Sequence, residues 1–558
     1  MLERTQNRLY AGFTIGPIHE LMQSAKKTRE LWFASYFFSW YMENLTKGLK
    51  QTCPSLVWLS PVGIKDERIM AGRYHDRFIA YTCRMDGEAL YNAIIETNKK
   101  TADYFVNLIY NVANEYDSRV DKSKIDLIFK QYMQTRFIVL TEEKIENNNP
   151  VSTIDKYLNT LEEHRTFPIG TMTNTCVRCN ALESVASAIV KYENTSAQQL
   201  CPFCLIKVFC DKSDIIRKKT GREIIDPTKP IFPSIPEITA ADLGEEFINI
   251  LREKSESDNF TFDDMQAGKK IEPYHKYYAI VQADGDNVGK FASEIIKNGN
   301  DSGKPPSEYE TILSERMSVF AEKAYLLTKK DFNGHAVYIG GDDLLALMPV
   351  AYQSDESTLK TVVDYAVALN NLYKENVCDP IKNKLTVIKD TTLSIGISIS
   401  YYKYPLSLAL DNAGRLLFDK AKSDTKNGCA INLIKHSGAS KEIVLRFSKL
   451  SELEFFSGLL KNALKKDSPL IHAIHHKLGI FLPLLSKLET QDQIANFLTY
   501  RFDMPEDIEQ DKIKDKNIEL YYVKKMLEDA VSSVDKNIAI SNVINKLALI
   551  KFLRGDAE

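Results

Sequence analysis

Apolar residues in the middle of this chain come in short runs that end on glycine and acidic residues. Tyr277–Gln282 (YYAIVQ) and Val337–Gly340 (VYIG) each lead into an acidic cluster, and Leu344–Val350 (LLALMPV) follows the second. Runs of this length, closed by Gly and Asp, predict strands, and Gly334–Val350 reads as a hairpin turning at Gly340-Gly341-Asp342-Asp343. Around them the apolar spacing becomes helical. Val288–Lys297 is a predicted helix, followed by a Gly/Ser/Pro break at Asn298–Pro306 and further helices at Glu308–Lys330, Glu356–Asn376 and Pro405–Asp424, the last opening at its proline. Leu393–Tyr402 (LSIGISISYY) alternates with period two, and Cys429–Ile434 (CAINLI) is the last strand. The order β-α-β-β-α-β, with one extra helix, is that of a ferredoxin-like fold.

The N-terminal half repeats the pattern. Tyr10–Ile15 predicts a strand, Ile18–Gly48 one long helix or two, Leu56–Pro61 and Arg77–Thr82 strands, and Gly87–Asn114 a helix. The aromatic stretch Leu31–Tyr41 reads as a buried helix face. Asp226–Pro236 contains four prolines and predicts a linker, and Lys254–Lys270 a polar loop. After Ser437 the spacing is leucine-rich and helical through Arg554. The expected class is α+β: two ferredoxin-like units, a helical region between them and a helical C-terminal part.

Composition adds limits rather than an assignment. With 558 residues, 44% of them hydrophobic, the chain can bury several cores and is not of the disordered class. A net charge of −3 gives no global nucleic-acid signal, so such a partner would be held by local patches or by other subunits. Lys26-Lys27-x-Arg29 is one such patch, or a solvated helix face. No run approaches the apolar length of a membrane span, and the N-terminus, charged at Glu3, Arg4 and Arg8, lacks a signal-peptide core. The expectation is a soluble, cytoplasmic protein with no membrane contact.

The acidic clusters carry the chemistry. The first is Ala283-Asp284-Gly285-Asp286-Asn287-Val288-Gly289-Lys290; the second holds Asp342 and Asp343. In a ferredoxin-like sheet the first strand lies beside the hairpin, so Asp284 would meet Asp342 and Asp343. Four carboxylates so crowded repel unless cations neutralise them, as in two-metal phosphoryl transfer. Taken alone, Gly-Gly-Asp-Asp is a solvated turn. A calcium loop is a poor fit because Val288 and Lys290 stand where ligands are needed. Gly285, Asn287, Gly340 and Gly341 are candidates for nucleotide contact. Lys422 would reach a triphosphate, or simply satisfy a helix C-terminus. The first unit lacks such a cluster and would complete a pocket across the interface. There the Gly16-Pro17 turn either offers backbone amides to a phosphate or is a plain turn.

Two of the cysteine pairs, Cys176-Val177-Arg178-Cys179 and Cys201-Pro202-Phe203-Cys204, have the spacing of a closed structural zinc site, with disulfides as the alternative. Cys210 falls outside the pattern, and Cys53, Cys83, Cys378 and Cys429 read as core thiols.

The stretch Phe13-Thr14-Ile15-Gly16-Pro17-Ile18, then Lys26-Lys27-Thr28-Arg29-Glu30-Leu31-Trp32 and Ser35-Tyr36, the two cysteine pairs and the Gly-Gly-Asp-Asp unit follow one another over roughly residues 10–435. In this trio the chain resembles the large subunit of type III-B CRISPR RNA-guided effector complexes, the Cmr type. The resemblance implies a first palm-like domain (1–120), a helical region with a four-cysteine zinc site and linker (121–270), a Gly-Gly-Asp-Asp palm (271–438) and a helical C-terminal domain (439–558). It implies a nucleotidyltransferase that converts ATP into a cyclic oligoadenylate messenger when target RNA binds, with Asp284, Asp286, Asp342 and Asp343 on two Mg or Mn ions. Other Cmr-type subunits, guide CRISPR RNA and target RNA are the implied partners. Many relatives carry an N-terminal His-Asp nuclease domain. Here the first strand begins near Leu9 and His75-Asp76 stands without further ligands, so DNA cleavage is not expected. A subset of the family is expected to join ATP to S-adenosylmethionine. A carboxylate in the acceptor pocket would favour that cationic acceptor, and Asp76, Glu162 and Glu163 are candidates, although Asp76 would equally pair with Arg77 or cap a turn. Competing readings are a template-directed polymerase or free-standing GGDEF-like cyclase, and a non-catalytic RNA-binding scaffold.

Overall fold

Leu9–Gly16 (β1) is buried on both sides, which explains why its apolar residues run on without clean alternation. Ala11, Phe13 and Ile15 face one core and Tyr10 the other. In the computed structural model, which describes residues 8–64, 71–164, 174–190, 196–220, 231–254, 261–262, 271–303, 309–353, 359–387, 389–423, 425–435, 437–465, 470–502, 518–533 and 535–555, β1 is a central strand of the first sheet. Val57–Ser60 (β2), Arg77–Thr82 (β3) and Gln134–Thr141 (β4) complete it in the antiparallel order β2-β3-β1-β4, the ferredoxin-like arrangement. One face is covered by Ile18–Gln23 (α1), Thr28–Thr52 (α2), Gly87–Tyr116 (α3) and Lys122–Tyr132 (α4); the other by Pro150–Glu163 (α5). The aromatic stretch is the buried face of α2: Trp32, Phe33, Phe37, Phe38 and Tyr41 are all at most 1% exposed. Each such side chain contributes roughly 1.5–3 kcal/mol by burial. Asp86, Asp121 and Asn149 cap α3, α4 and α5 through backbone amides.

The expected boundary after residue 120 cuts this sheet, because β4 is its edge strand. The segment expected to be helical also contains the hairpin Ala186–Ala188 (β5) and Gln198–Leu200 (β6), followed by Pro202–Val208 (α6). Of the expected linker, residues 226–230 lie outside the described part. The rest packs: Phe232 is buried with its ring 6.1 Å from Trp32, and a capping box of Ser234 and Glu237 starts a short helix. The expected 254–270 loop lies mostly outside the described residues.

Gly12 lets α5 approach the sheet, since a Cβ there would lie 2.2 Å from Ile154 Cγ2. Gly12→Ala is expected to force α5 outward and destabilise the chain by about 1–3 kcal/mol, read as a lower melting temperature. An unchanged melt would refute the close packing.

The second sheet contains Tyr277–Asp286 (β7), His335–Gly340 (β8), Asp343–Pro349 (β9), Thr392–Tyr401 (β12), Gly428–Ile434 (β13) and Ser440–Arg446 (β14); Ala351–Gln353 (β10) and Leu359–Thr361 (β11) form a separate small hairpin. The order is β14-β13-β12-β7-β9-β8. Its portion β12-β7-β9-β8 is antiparallel and repeats the strand order of the first sheet. β13 adds parallel to β12 across a helical connection, and β14 closes that edge. β14 corrects the expectation of a wholly helical tail after 438. The helix expected over 356–376 starts only at Val362, because Leu359–Thr361 is spent on β11 and Thr361 forms a capping box with Asp364. The helix Val288–Asp301 runs through the expected start of a break, and Gly299 admits the ring of Tyr309. From residue 450 the described chain is helical and shares one core with β12, β13 and β14.

The two palms touch directly. Arg8 pairs with Glu310 at 2.8 Å and Arg73 with Glu322 at 3.2 Å, and the Val62 amide donates to Ser314 Oγ. Among the described residues no helix is long and apolar enough to cross a membrane.

Candidate active site

The site forms where β7 runs out beside the β8–β9 turn. Pairing of Ala283 with Leu344 and of Gly340 with Asp343 sets the two-residue turn Gly341-Asp342 against Asp284-Gly285-Asp286. Gly341 takes φ 65°, a backbone region glycine adopts at little cost. Gly285 has no room for a side chain: a Cβ there would lie 2.5 Å from Asp342 Oδ2. Strand and turn therefore press the carboxylates together.

Asp286 is fully buried. Its Oδ2 accepts hydrogen bonds from Thr392 Oγ1 (2.8 Å), Ser394 Oγ (2.8 Å) and the Asn427 amide (2.9 Å). Its Oδ1 has no hydrogen-bond partner; the Lys422 ammonium stands 3.9 Å away. An orphaned buried carboxylate oxygen is costly, and a cation would remove the cost. Lys422 itself contacts the Asp284 carboxylate and donates to the Gly285 carbonyl at 2.9 Å. Desolvation and Asp284 push Asp342 up to about 6. Asp343, at the rim, is pushed well above the usual carboxylate range by desolvation, Asp342 and Asp284. This oxygen-rich, mutually repelling donor set fits hard divalent ions such as Mg2+ or Mn2+.

Asn287 caps the following helix in a left-handed conformation, and its side-chain oxygen accepts from Lys426 Nζ at 3.0 Å. Gly340 sits over the Tyr338 hydroxyl.

The first palm reaches the same cleft. His75 abuts Gly341, and Asp76 is close enough to raise Asp343 and the Tyr338 phenol. Burial pushes Asp76 itself up to about 6. Glu162 is held beside it by Arg77, whose Nη2 donates to Glu162 at 2.7 Å, and Thr14 also bonds to it. Glu163 is exposed at the end of α5. Gly16 ends β1, but Pro17 after it has no N–H and α1 is only six residues long, so the expected row of free amides is depleted. Arg29 of the basic patch pairs with Asp211 at 3.3 Å.

Cys176, Cys179, Cys201 and Cys204 form one cluster with all sulfurs within 4.8 Å of one another. Cys179 Sγ and Cys201 Sγ are 3.9 Å apart. Tetrahedral Zn–S bonds of about 2.3 Å imply sulfurs about 3.8 Å apart, so the cluster fits zinc. None of the four is in a disulfide. Cys210 lies apart, beside the Arg29 carbonyl.

Thr392, Ser394, Asn427 and Tyr338, and the packing of His75 on the turn, were not foreseen. The signal for two of them was present: Thr392, Ser394, Ser398 and Ser400 recur with period two along a strand buried on both faces.

Residues 277–430 match the family model "Cas10/Cmr2, second palm domain", and residues 10–83 match "CRISPR-associated protein Cmr2, N-terminal". Over 300 residues, 43% of the chain, the sequence is 27% identical to the CRISPR system Cmr subunit Cmr2 of Pyrococcus furiosus; the match spans 32% of that protein. The fold is similar to chains in the type III-B Cmr-beta structures in the apo state and bound to cognate target RNA. Both are 12% identical, with TM-scores of 0.59 and 0.61, covering 99% of this chain and 82% and 84% of theirs. The two family matches follow one another in chain order over the two sheets described above, so the chain is similar to Cas10/Cmr2 proteins in both sheets.

Proposed function

We propose that the chain is the catalytic large subunit of a type III-B CRISPR effector complex and uses ATP to make an adenylate second messenger, a cyclic oligoadenylate, when the complex binds target RNA. The observation that carries this is that Asp284 stands close enough to Asp342 and Asp343 to raise both, while Asp286, two residues on in the same strand, keeps an orphaned buried Oδ1. Two divalent ions bound by these acids would neutralise the triphosphate and activate the acceptor hydroxyl. That oxygen bonds to the α-phosphorus of ATP, the α–β bridging bond breaks, pyrophosphate leaves and the hydroxyl proton passes to solvent. Thr392, Ser394 and the Asn427 amide hold Asp286 in orientation. Gly285 makes room for the Asp342 carboxylate and Gly341 for the His75 ring, so strand and turn close on one another. Lys422, released from Asp284, holds the leaving pyrophosphate. Guide and target RNA and the other Cmr-type subunits are the partners.

A second reading rests on Asp76. A first-palm carboxylate in the cleft repels a polyanionic acceptor and favours a cationic one such as S-adenosylmethionine. Supplying the RNA-bound complex with ATP, with and without S-adenosylmethionine, and identifying products by mass spectrometry separates the two. Oligoadenylates from ATP alone support the first reading. A product only with both substrates supports the second. No nucleotide product refutes both.

Lys422→Ala is expected to lower the initial rate on ATP by about 10²-fold, the cost of losing one fixed charge-stabilising group, with Lys422→Arg recovering part. An unchanged rate would reduce Lys422 to a helix-end cation.

A further inference from the structure

Residues 71–76 form a strap between the palms. Gly72 donates its amide to the Val337 carbonyl at 3.2 Å and accepts from the Ile339 amide at 2.9 Å, adding a parallel bridge to the outer edge of β8. The strap is gripped from the other side by α2, where Ser39 Oγ accepts from the Arg73 and Tyr74 amides, both at 2.8 Å. Gly72 sits in close quarters, since a Cβ there would lie 3.1 Å from both Ser35 Oγ and Tyr338 Cδ2. Arg73 adds its ion pair to Glu322.

Three residues beyond Gly72, the imidazole of His75 lies over the turn. A Cβ on Gly341 would meet His75 Cε1 at 2.5 Å, so ring and glycine occupy complementary space. Desolvation pushes His75 down to about 4, and it is uncharged at neutral pH. Gly341 sits at the tip of a hairpin whose β8 side is the sheet edge, with two carboxylates behind it that repel each other. Such a turn needs a wall on its open side.

We infer that His75 is a positioning residue for the Gly341-Asp342-Asp343 turn: its ring backs the turn, and the strap held by Ser39 sets the turn's place from the first palm. The inference rests on the nucleotidyl-transfer reading above. It makes the first palm part of the metal site's geometry, by packing rather than by ligation.

The test compares His75→Ala, His75→Phe, Gly341→Ala and the His75→Ala/Gly341→Ala pair in the assembled complex. Mn2+ binding is read by electron paramagnetic resonance, without turnover, and product formation from ATP separately. His75→Ala should weaken Mn2+ binding about tenfold or more, the usual cost of removing a group that orients metal ligands, and extra Mn2+ should restore part of the rate. His75→Phe keeps the ring and should stay near wild type. Gly341→Ala should be impaired, and adding His75→Ala should recover part of the loss because the clash is gone. Wild-type Mn2+ affinity in a folded His75→Ala overturns the inference alone. His75→Phe as damaged as His75→Ala also overturns it, because ring nitrogens rather than ring shape would then matter. Absence of Mn2+ binding in the wild type overturns the inference together with the reading beneath it.

Discussion

Asp342→Ala with Asp343→Ala is expected to abolish nucleotide transfer, by about 10³-fold or more, while the chain stays folded and still assembles with its partners and RNA. The rate loss follows from what the metals supply, several kcal/mol of charge stabilisation at the transferred phosphoryl group, each 1.36 kcal/mol being about tenfold in rate. The folding outcome follows from the site's electrostatics. Desolvation and neighbouring carboxylates hold Asp342 near 6 and raise Asp343 well above the usual carboxylate range. Groups whose charged forms are disfavoured in the folded state add no stability at neutral pH, so truncating them relieves repulsion. The metal-free double variant should melt at or above the wild-type temperature. Asp286→Ala should differ, because it strands the donors of Thr392, Ser394 and the Asn427 amide in a buried site. Product yield and melting temperature, measured together, decide the matter. A normal yield from the double variant removes the catalytic role, and unfolding assigns the two acids to structure.

The contrast between Asp342/Asp343 and Asp286 marks what the sequence made legible. The four acids stood out because each pair closes an apolar run, and strand ends bring such pairs together. The strand order of the second palm followed from the same runs. The first palm's edge strand was hidden. Gln134–Thr141 sits between a helix and the cysteine pairs, and its period-two pattern is blurred because all but its last residue is partly covered. Ser440–Arg446 was hidden in the same way by the leucine-rich tail after it. The grip on Asp286 depends on Thr392 and Ser394 of a distant strand. The contact of His75 with Gly341 depends on how two domains dock. Neither is a periodicity, so neither shows in one sequence. Glu162 looked available to the acceptor cleft, and the fold sets it against Arg77 beside Asp76.

Zinc removal is expected to have the largest effect on stability. Cys176, Cys201 and Cys204 are fully buried and Cys179 partly so. Four thiolates in that volume are tolerable only if a cation takes their charge, and structural zinc contributes on the order of 10 kcal/mol of binding free energy to folding. The knuckle is also a clamp. Arg178, inside the first cysteine pair, forms a buried ion pair with Glu30 of α2 at 3.6 Å, and the buried Lys207 of α6 donates to the Leu21 carbonyl at 3.1 Å and to Ser24 Oγ. Breaking a buried pair such as Arg178–Glu30 costs about 3–5 kcal/mol, so loss of the metal should propagate into the α1–α2 turn. Elemental analysis should find one zinc per chain. Cys201→Ser, or a strong chelator, should lower the melting temperature and speed hydrogen exchange first at 176–182 and 18–30, before β7 and β9 respond. Uniform loss of protection across both palms would deny the local clamp. A zinc-free preparation of full stability, or a disulfide joining the two pairs, would refute the site itself.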